Sequence, residues 1–141
     1  MKKTILFVDD DSYWSQNYQD QLSKNNTVVY KSSADGAIAE LSLNGGSFDL
    51  VILDVMMDTP DSVDLVETEG GMMTGVWILG KLKDLLQEKK MPVVVLTNRA
   101  KKVVIDALNS LGYPKGQVVV YSKSEMSAKQ LPSAVQTCLG K

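Results

Sequence analysis

The sequence predicts an α/β fold in which helices cover both faces of a parallel β-sheet. Five short apolar runs rich in branched residues recur along the chain, at residues 5–8, 27–30, 50–53, 93–96 and 118–121. The runs show no alternation of polar and apolar residues, which is typical of strands buried on both faces. Stretches with helical periodicity separate the runs, so strand and helix alternate five times and the crossovers are expected to be right-handed.

The helical stretches carry apolar residues at intervals of three and four. These stripes are Trp14, Tyr18 and Leu22; Val76, Leu79, Leu82 and Leu86; Val104, Leu108 and Leu111; and Leu131, Val135, Cys138 and Leu139. Gly112 directly follows the third stripe and fits a helix C-cap. Packing of one helix face against the sheet explains such stripes, and we assign them to the core.

Length and composition restrict the class of protein. We expect the 141 residues to form one domain, without a separate output domain. A net charge of −2 without a basic stripe argues against nucleic-acid binding. With no histidine and only Cys138, a conventional zinc site and an intrachain disulfide are excluded. No apolar segment fits a secretory signal or a membrane span, so we expect a cytoplasmic protein.

Candidate site residues follow four of the five runs. They are Asp9, Asp10 and Asp11 after the first, Asp54 after the third, Thr97 and Asn98 after the fourth, and Ser122 and Lys123 after the fifth. Taken alone, each of these residues is explained by helix capping or by exposure to solvent. If the strand order is the flavodoxin-like 2-1-3-4-5, however, all of them meet at the sheet edge where ligands bind in such folds.

The chemistry of this set is coherent. Two carboxylates held ~5 Å apart repel each other by roughly 3 kcal/mol at an effective dielectric of ~20, so a cation is expected beside Asp9 and Asp10. Carboxylates from two strands suit Mg²⁺. Lys123 and Thr97 supply a positive charge and a hydroxyl suited to phosphoryl oxygens. Asp54 lies centrally, where a carboxylate can attack phosphorus.

The segments ILFVDDDS, FDLVILDVMM, PVVVLTN and VVVYSKS, in this order and spacing, resemble the receiver domain of two-component response regulators. The resemblance covers residues 1–141. It implies that Asp54 accepts a phosphoryl group from a phosphohistidine on a sensor histidine kinase or a phosphotransfer protein. It also implies that Thr97 and Lys123 bind the phosphoryl oxygens.

The resemblance further implies a Mg²⁺ site formed by Asp9, Asp10, Asp54 and the main-chain carbonyl of Met56. A receiver is a signalling domain rather than an enzyme, although it catalyses its own phosphorylation and dephosphorylation. Without an output domain, the signal is expected to pass to a downstream protein by direct contact, with no direct binding of nucleic acid or membrane.

The family's usual contact surface is the face of its fourth helix, fifth strand and fifth helix, the α4-β5-α5 face. Here it corresponds to about residues 100–111, 118–121 and 128–139. We expect the downstream target to bind there.

One departure from the family is the loop at residues 58–74. Asp58 stands where the family usually has Pro, the matching Gly is Gly75, and the loop is about a dozen residues longer than usual. The loop carries only acidic charges, namely Asp58, Asp61, Asp64, Glu67 and Glu69. It is either a solvated, mobile segment or a lid or partner contact that uses Met56, Met57, Met72 and Met73.

Two further departures affect the fifth strand. Val120 occupies the place of the family's switch aromatic, and strand alternation predicts that Tyr121 points to the opposite face of the sheet. Ser124 replaces the proline that usually follows the lysine, so the Lys123–Ser124 peptide is expected to be trans or strained. Met56 and Arg99 hold the positions that border the attacking water.

Two other functions compete with the receiver. A phosphatase of the haloacid dehalogenase type would use Asp9 and Asp11, but it needs a second acidic pair after its lysine, and Glu125 is the only acid after Lys123. It also leaves Asp54 unexplained. A receiver-like adaptor that is not phosphorylated is the other alternative; the presence of all five expected site residues argues against it.

Overall fold

The computed structural model describes residues 2–140 and contains one five-stranded sheet. Its strands are β1 (Thr4–Val8), β2 (Thr27–Lys31), β3 (Leu50–Asp54), β4 (Val93–Thr97) and β5 (Val118–Ser122). The strand order is β2-β1-β3-β4-β5 and every neighbouring pair is parallel. The predicted doubly wound sheet and its order are therefore confirmed.

In the described part of the chain, six α-helices surround the sheet, one more than the five we predicted. They are α1 (Ser12–Ser23), α2 (Ala34–Asn44), α3 (Thr74–Lys81), α4 (Lys83–Glu88), α5 (Lys101–Asn109) and α6 (Leu131–Leu139). The apolar stripe at 76–86 is divided because Leu82, with φ −101° and ψ 13°, leaves the helical region and separates α3 from α4. Within residues 2–140, no helix is both long and apolar enough to cross a bilayer.

The sheet separates two apolar layers. Leu6, Leu53 and Val95 point to the face covered by α2, α3 and α5. Phe7 and Ile52 point to the opposite face, covered by α1 and α6. The described residues of β3 and β4 are buried throughout, which explains their unbroken apolar runs. Each fully buried aliphatic side chain stabilises the fold by roughly 1.5–3 kcal/mol.

Gly75 allows the N-terminus of α3 to pack directly on the end of β3. A Cβ at this position would lie 2.8 Å from the Cα of Val55 and closer still to the carbonyl oxygen of Asp54. The Gly75 N–H donates to the Val55 carbonyl at 2.8 Å. After the long loop, the chain thus returns to the C-terminal end of β3, where Asp54 lies.

The extended loop folds onto the end of β3. It contains a short 3-10 helix, Leu65–Thr68. The buried Thr68 hydroxyl lies 2.5 Å from that of Thr59 and accepts the Gly71 N–H at 3.2 Å. The Met57 N–H donates to the Gly71 carbonyl at 3.2 Å. These hydrogen bonds connect the loop to itself and to the residues after β3, while most of its side chains, including all five acids, are exposed to solvent.

Candidate functional site

Three carboxylates converge at the C-terminal edge of the sheet. Oxygens of Asp9, Asp10 and Asp54 all lie within 4.8 Å of one another. Asp9 and Asp54 are 1% and 5% exposed, whereas Asp10 is open to solvent. The predicted cluster is present because parallel strands end at one edge. Asp11 has another role: its carboxylate accepts the Trp14 N–H at 2.8 Å and caps α1.

Main-chain donors orient the two buried carboxylates. Oδ1 of Asp9 accepts the Asp11 N–H at 2.8 Å, and Oδ1 of Asp54 accepts the Met56 N–H at 3.3 Å. The carbonyl of Asp9 accepts a hydrogen bond from the Tyr30 hydroxyl. Each carboxylate thus keeps its Oδ2 for other partners in the site.

Lys123 bridges these two Oδ2 atoms. Its Nζ lies 3.4 Å from Asp9 and 3.3 Å from Asp54. The same ammonium lies 4.0 Å from the centroid of a Trp14 ring, and the lysine side chain is only 8% exposed. The Lys123 N–H donates to the Thr97 carbonyl at 2.8 Å, which fixes the start of the turn after β5. The cation–π contact with Trp14 stabilises the Lys123 ammonium in this position.

Burial makes the carboxylates easier to protonate. Desolvation raises the pKa of Asp54 to about 7, Lys123 opposes the rise, and the nearby Asp9 adds to it. Desolvation also raises the pKa of Asp9, although the hydrogen bond from the Asp11 N–H and the charge of Lys123 both lower it. A divalent cation would favour the ionised forms.

The donor set fits Mg²⁺. Three carboxylates and one ammonium leave the ionised cluster with a net charge of −2, and its donors are hard oxygens from two strands. Mg²⁺ binds such sites through a few carboxylates while it keeps several waters. The cluster could therefore hold this cation.

Thr97 is fully buried at the end of β4, one residue beyond Leu96, which pairs with Asp54 across the sheet. Its Oγ1 accepts the Arg99 N–H at 2.9 Å. The hydroxyl proton is therefore still available for a second partner.

The predicted departures on β5 are present. Val120 is buried in the layer with α2, α3 and α5, whereas Tyr121 packs against the layer with α1 and α6. All peptide bonds between residues 2 and 140 are trans, so the Lys123–Ser124 bond is too. Instead of a proline, polar contacts hold this turn, among them the Ser122 N–H donating to Glu125 at 3.0 Å.

The phosphatase alternative loses support from this geometry. Asp11, which that mechanism requires, caps a helix, and the carboxylate of Glu125 accepts from Ser122 and pairs with Lys101 at 3.2 Å. The acid that joins Asp9 and Asp10 is Asp54. The contact between Lys123 and Trp14 was not predicted, because Trp14 also fits the apolar stripe of α1 and was assigned to the core.

Several solved structures that share this fold are named as receiver domains. A response regulator receiver domain protein from Clostridium thermocellum is 24% identical, with 98% of this chain and 94% of that chain covered at a TM-score of 0.72. A CheY-like receiver domain protein from Methanospirillum hungatei JF-1 is 20% identical, with 99% and 95% covered at a TM-score of 0.74. The BeF3-activated DrrB receiver domain is 19% identical, with both chains fully covered at a TM-score of 0.70.

No protein-family model and no curated protein matches the sequence. The structural matches nevertheless span nearly the whole chain. The chain therefore has the fold of a response regulator receiver domain, with an acidic cluster at the sheet edge that fits a phosphoacceptor site.

Proposed function

We propose that this chain is a phosphoacceptor receiver, in which Asp54 takes a phosphoryl group from the phosphohistidine of a sensor histidine kinase or a phosphotransfer protein. One observation carries the proposal most strongly: Lys123 bridges the buried carboxylates of Asp9 and Asp54, at 3.4 and 3.3 Å, at the strand edge of a receiver fold. Because the Lys123 ammonium already pairs with Asp54, it is positioned to pair with the oxygens of a phosphoryl group attached to that carboxylate.

The proposed transfer uses Asp54 as the nucleophile. A carboxylate oxygen of Asp54 forms a bond to phosphorus while the bond from phosphorus to the donor imidazole nitrogen breaks, and the imidazole leaves with the electron pair. The Lys123 ammonium then pairs with a phosphoryl oxygen, and the Thr97 hydroxyl donates to another. Burial of Asp54 keeps competing water away from the bond that forms.

Asp9, Asp10, Asp54 and the main-chain carbonyl of Met56 would hold Mg²⁺. The cation would offset the negative charge of the phosphoryl oxygens. The N–H groups of Asp11 and Met56 donate hydrogen bonds that orient the carboxylates of Asp9 and Asp54.

The signal of such a receiver would pass by protein contact in the cytoplasm. We expect the downstream protein to bind the face formed by α5, β5 and α6, which corresponds to the family's usual contact surface. Thr97 supports a link to that face, because its hydroxyl accepts from Arg99, two residues before α5 begins. The chain itself would act as a signalling domain rather than as an enzyme with a separate substrate.

The test is phosphorylation by a small phosphoramidate, followed by intact mass, with and without Mg²⁺. We expect one added phosphoryl group that requires Mg²⁺ and is lost in Asp54→Asn. Asp35→Asn, which changes an exposed carboxylate on α2, is the matched control and should be phosphorylated normally. Mg²⁺ binding without any adduct would instead support the unphosphorylated adaptor. Continuous donor hydrolysis that survives Asp54→Asn but requires Asp9 would support the phosphatase.

A further inference from the structure

The Lys123 ammonium has two kinds of contact. Within residues 2–140, its hydrogen bonds go to Asp9 and Asp54, at 3.4 and 3.3 Å. Its Nζ also lies 4.0 Å from the centroid of a Trp14 ring. A lysine ammonium has three N–H donors, and the face of an indole is the strongest aromatic partner for a cation. The charged end of Lys123 therefore has one contact that does not depend on a carboxylate.

Ordinary packing of a lysine stem does not account for this contact. Lysine often covers apolar surface with its methylene groups while its charge stays in water. Here the charged nitrogen itself lies over the ring, and the Lys123 side chain is only 8% exposed. Trp14 is only half-buried, so the core does not use its whole ring. The contact is therefore between the indole and the charge.

Other contacts fix the position of the Trp14 ring. Trp14 lies in the first turn of α1, where Asp11 accepts its main-chain N–H at 2.8 Å. Its ring packs on that of the buried Tyr18 one turn later, with the ring centroids 4.7 Å apart. The Tyr18 hydroxyl in turn donates to the carbonyl of Met126, between β5 and α6. The ring is thus held by α1 and the segment after β5, independently of the two buried carboxylates of the site.

The carboxylate contacts and the ring contact respond differently to what the site binds. In the proposed function, Asp9 and Asp54 hold a cation and Asp54 then carries the phosphoryl group, so the oxygens that pair with Lys123 take other partners. A lysine side chain is flexible, and its strongly hydrated ammonium turns toward water when it has no fixed partner. The Trp14 ring stays in place during this exchange, because its own supports lie elsewhere.

We propose that Trp14 is a positioning residue for the phosphoryl transfer: its ring keeps the Lys123 ammonium beside Asp54 while the carboxylates exchange partners. This inference rests on the proposed function of Asp54. Trp14 acts through Lys123 rather than on the phosphoryl group. It raises the fraction of molecules in which the ammonium is ready to pair with the phosphoryl oxygens, and the rate follows that fraction.

The experiment changes the charge on the ring face while it leaves the shape of the ring nearly unchanged. In a Trp77→Phe background, Trp14 alone is replaced by a monofluorotryptophan and then by a difluorotryptophan. We expect the rate of phosphorylation by a small phosphoramidate, at saturating Mg²⁺, to fall in steps, by about twofold or more in total. Trp14→Leu, which removes the ring, should slow it by about fivefold or more. The same analogues at Trp77 alone, in a Trp14→Phe background, are the matched control and should not change the rate.

Two further measurements separate positioning from damage to the fold. The affinity for Mg²⁺, measured by calorimetry, should not fall in Trp14→Leu, because the ring contacts the lysine and the cation is held by the carboxylates. In protein with 13C-labelled lysine, the ε-methylene protons of Lys123 should show an upfield ring-current shift. We expect this shift to persist when Mg²⁺ is added and to disappear in Trp14→Leu.

The outcomes for Trp14 and for Asp54 can be told apart. If the wild type is phosphorylated, a rate that fluorination of Trp14 leaves unchanged would overturn this inference alone. Loss of the ring-current shift on adding Mg²⁺, or a fall in Mg²⁺ affinity as large as the fall in rate, would do the same. Absence of phosphorylation in the wild type at saturating Mg²⁺ would overturn the proposed function, and this inference with it.

Discussion

Nη1 of Arg99 lies 3.5 Å from Oε1 of Glu69, which joins the turn after β4 to the end of the extended loop. This nitrogen is buried and makes no hydrogen bond to the part of the chain that the structure describes, so the ion pair is its main electrostatic partner. The main-chain N–H of Arg99 donates to Thr97. One residue therefore contacts both the buried threonine of the site and the loop that distinguishes this chain.

Arg99→Gln should loosen the loop without unfolding the domain. The pair is partly exposed, so its loss should cost about 0–1 kcal/mol of global stability. Locally, we expect faster amide hydrogen exchange at residues 65–73. Lys102→Gln, which breaks the exposed pair with Asp106, is the matched control and should leave this exchange unchanged. Equal exchange in Arg99→Gln and wild type would show that the ion pair does not hold the loop.

Without Mg²⁺, the stability of the protein should fall as pH rises from about 4 to about 7. Asp54 has an ordinary pKa of 3.8 and a pKa of about 7 in the folded state, so over this range the folded state binds more protons than the unfolded state. The raised pKa of Asp9 acts in the same direction. Urea unfolding in EDTA at several pH values measures the slope.

Asp54→Asn should flatten that pH dependence and stabilise the metal-free protein at pH 8, because the buried charge is removed. Asp35→Asn should keep the wild-type slope. A wild-type stability that rises between pH 4 and 7 in EDTA would contradict the account of Asp54.

Mg²⁺ should change the fluorescence of Trp14, whose ring contacts the lysine that pairs with the site's carboxylates. In a Trp77→Phe background, a Mg²⁺ titration should saturate, and Asp9→Asn should lower the affinity by about tenfold or more, or about 1.4 kcal/mol. Asp11→Asn is the control, since Asp11 caps α1 and asparagine caps equally well. Equal losses in the two variants would place the cation elsewhere.

Two glycines of α3 should respond oppositely to alanine. Gly75→Ala should destabilise the fold by about 1–3 kcal/mol, because its Cβ would overlap the backbone at the end of β3. Gly80→Ala should stabilise it by about 0.5–1 kcal/mol, because the methyl group has room and the helix gains propensity. Thermal or urea unfolding of both variants checks the pair. Similar effects at the two positions would contradict the packing described for α3.

The strands, and the meeting of acidic and basic side chains at one sheet edge, could be predicted because each depends on a short, local pattern. Branched apolar runs identify the strands, and parallel strands bring their ends to one edge, which places Asp9, Asp54 and Lys123 together. Strand alternation also correctly placed Tyr121 on the face opposite Val120.

The remaining features depend on three-dimensional geometry that the spacing of apolar residues in the sequence does not encode. The break at Leu82 is a change in two dihedral angles within an unbroken apolar stripe. The pair between Glu69 and Arg99 joins two loops, which have no repeating pattern that could align them. Trp14 fits the core stripe of α1, so its contact with Lys123 could be found only once the strand edge was built.

The most direct test of the central claim is to locate the phosphorylated residue chemically. After treatment with a phosphoramidate and Mg²⁺, borohydride reduces an acyl phosphate to an alcohol and so converts the modified aspartate to homoserine, which peptide mass spectrometry can locate. The account predicts homoserine at position 54 and at no other aspartate. Modification at position 9 instead, or phosphorylation that persists in Asp54→Asn, would contradict it.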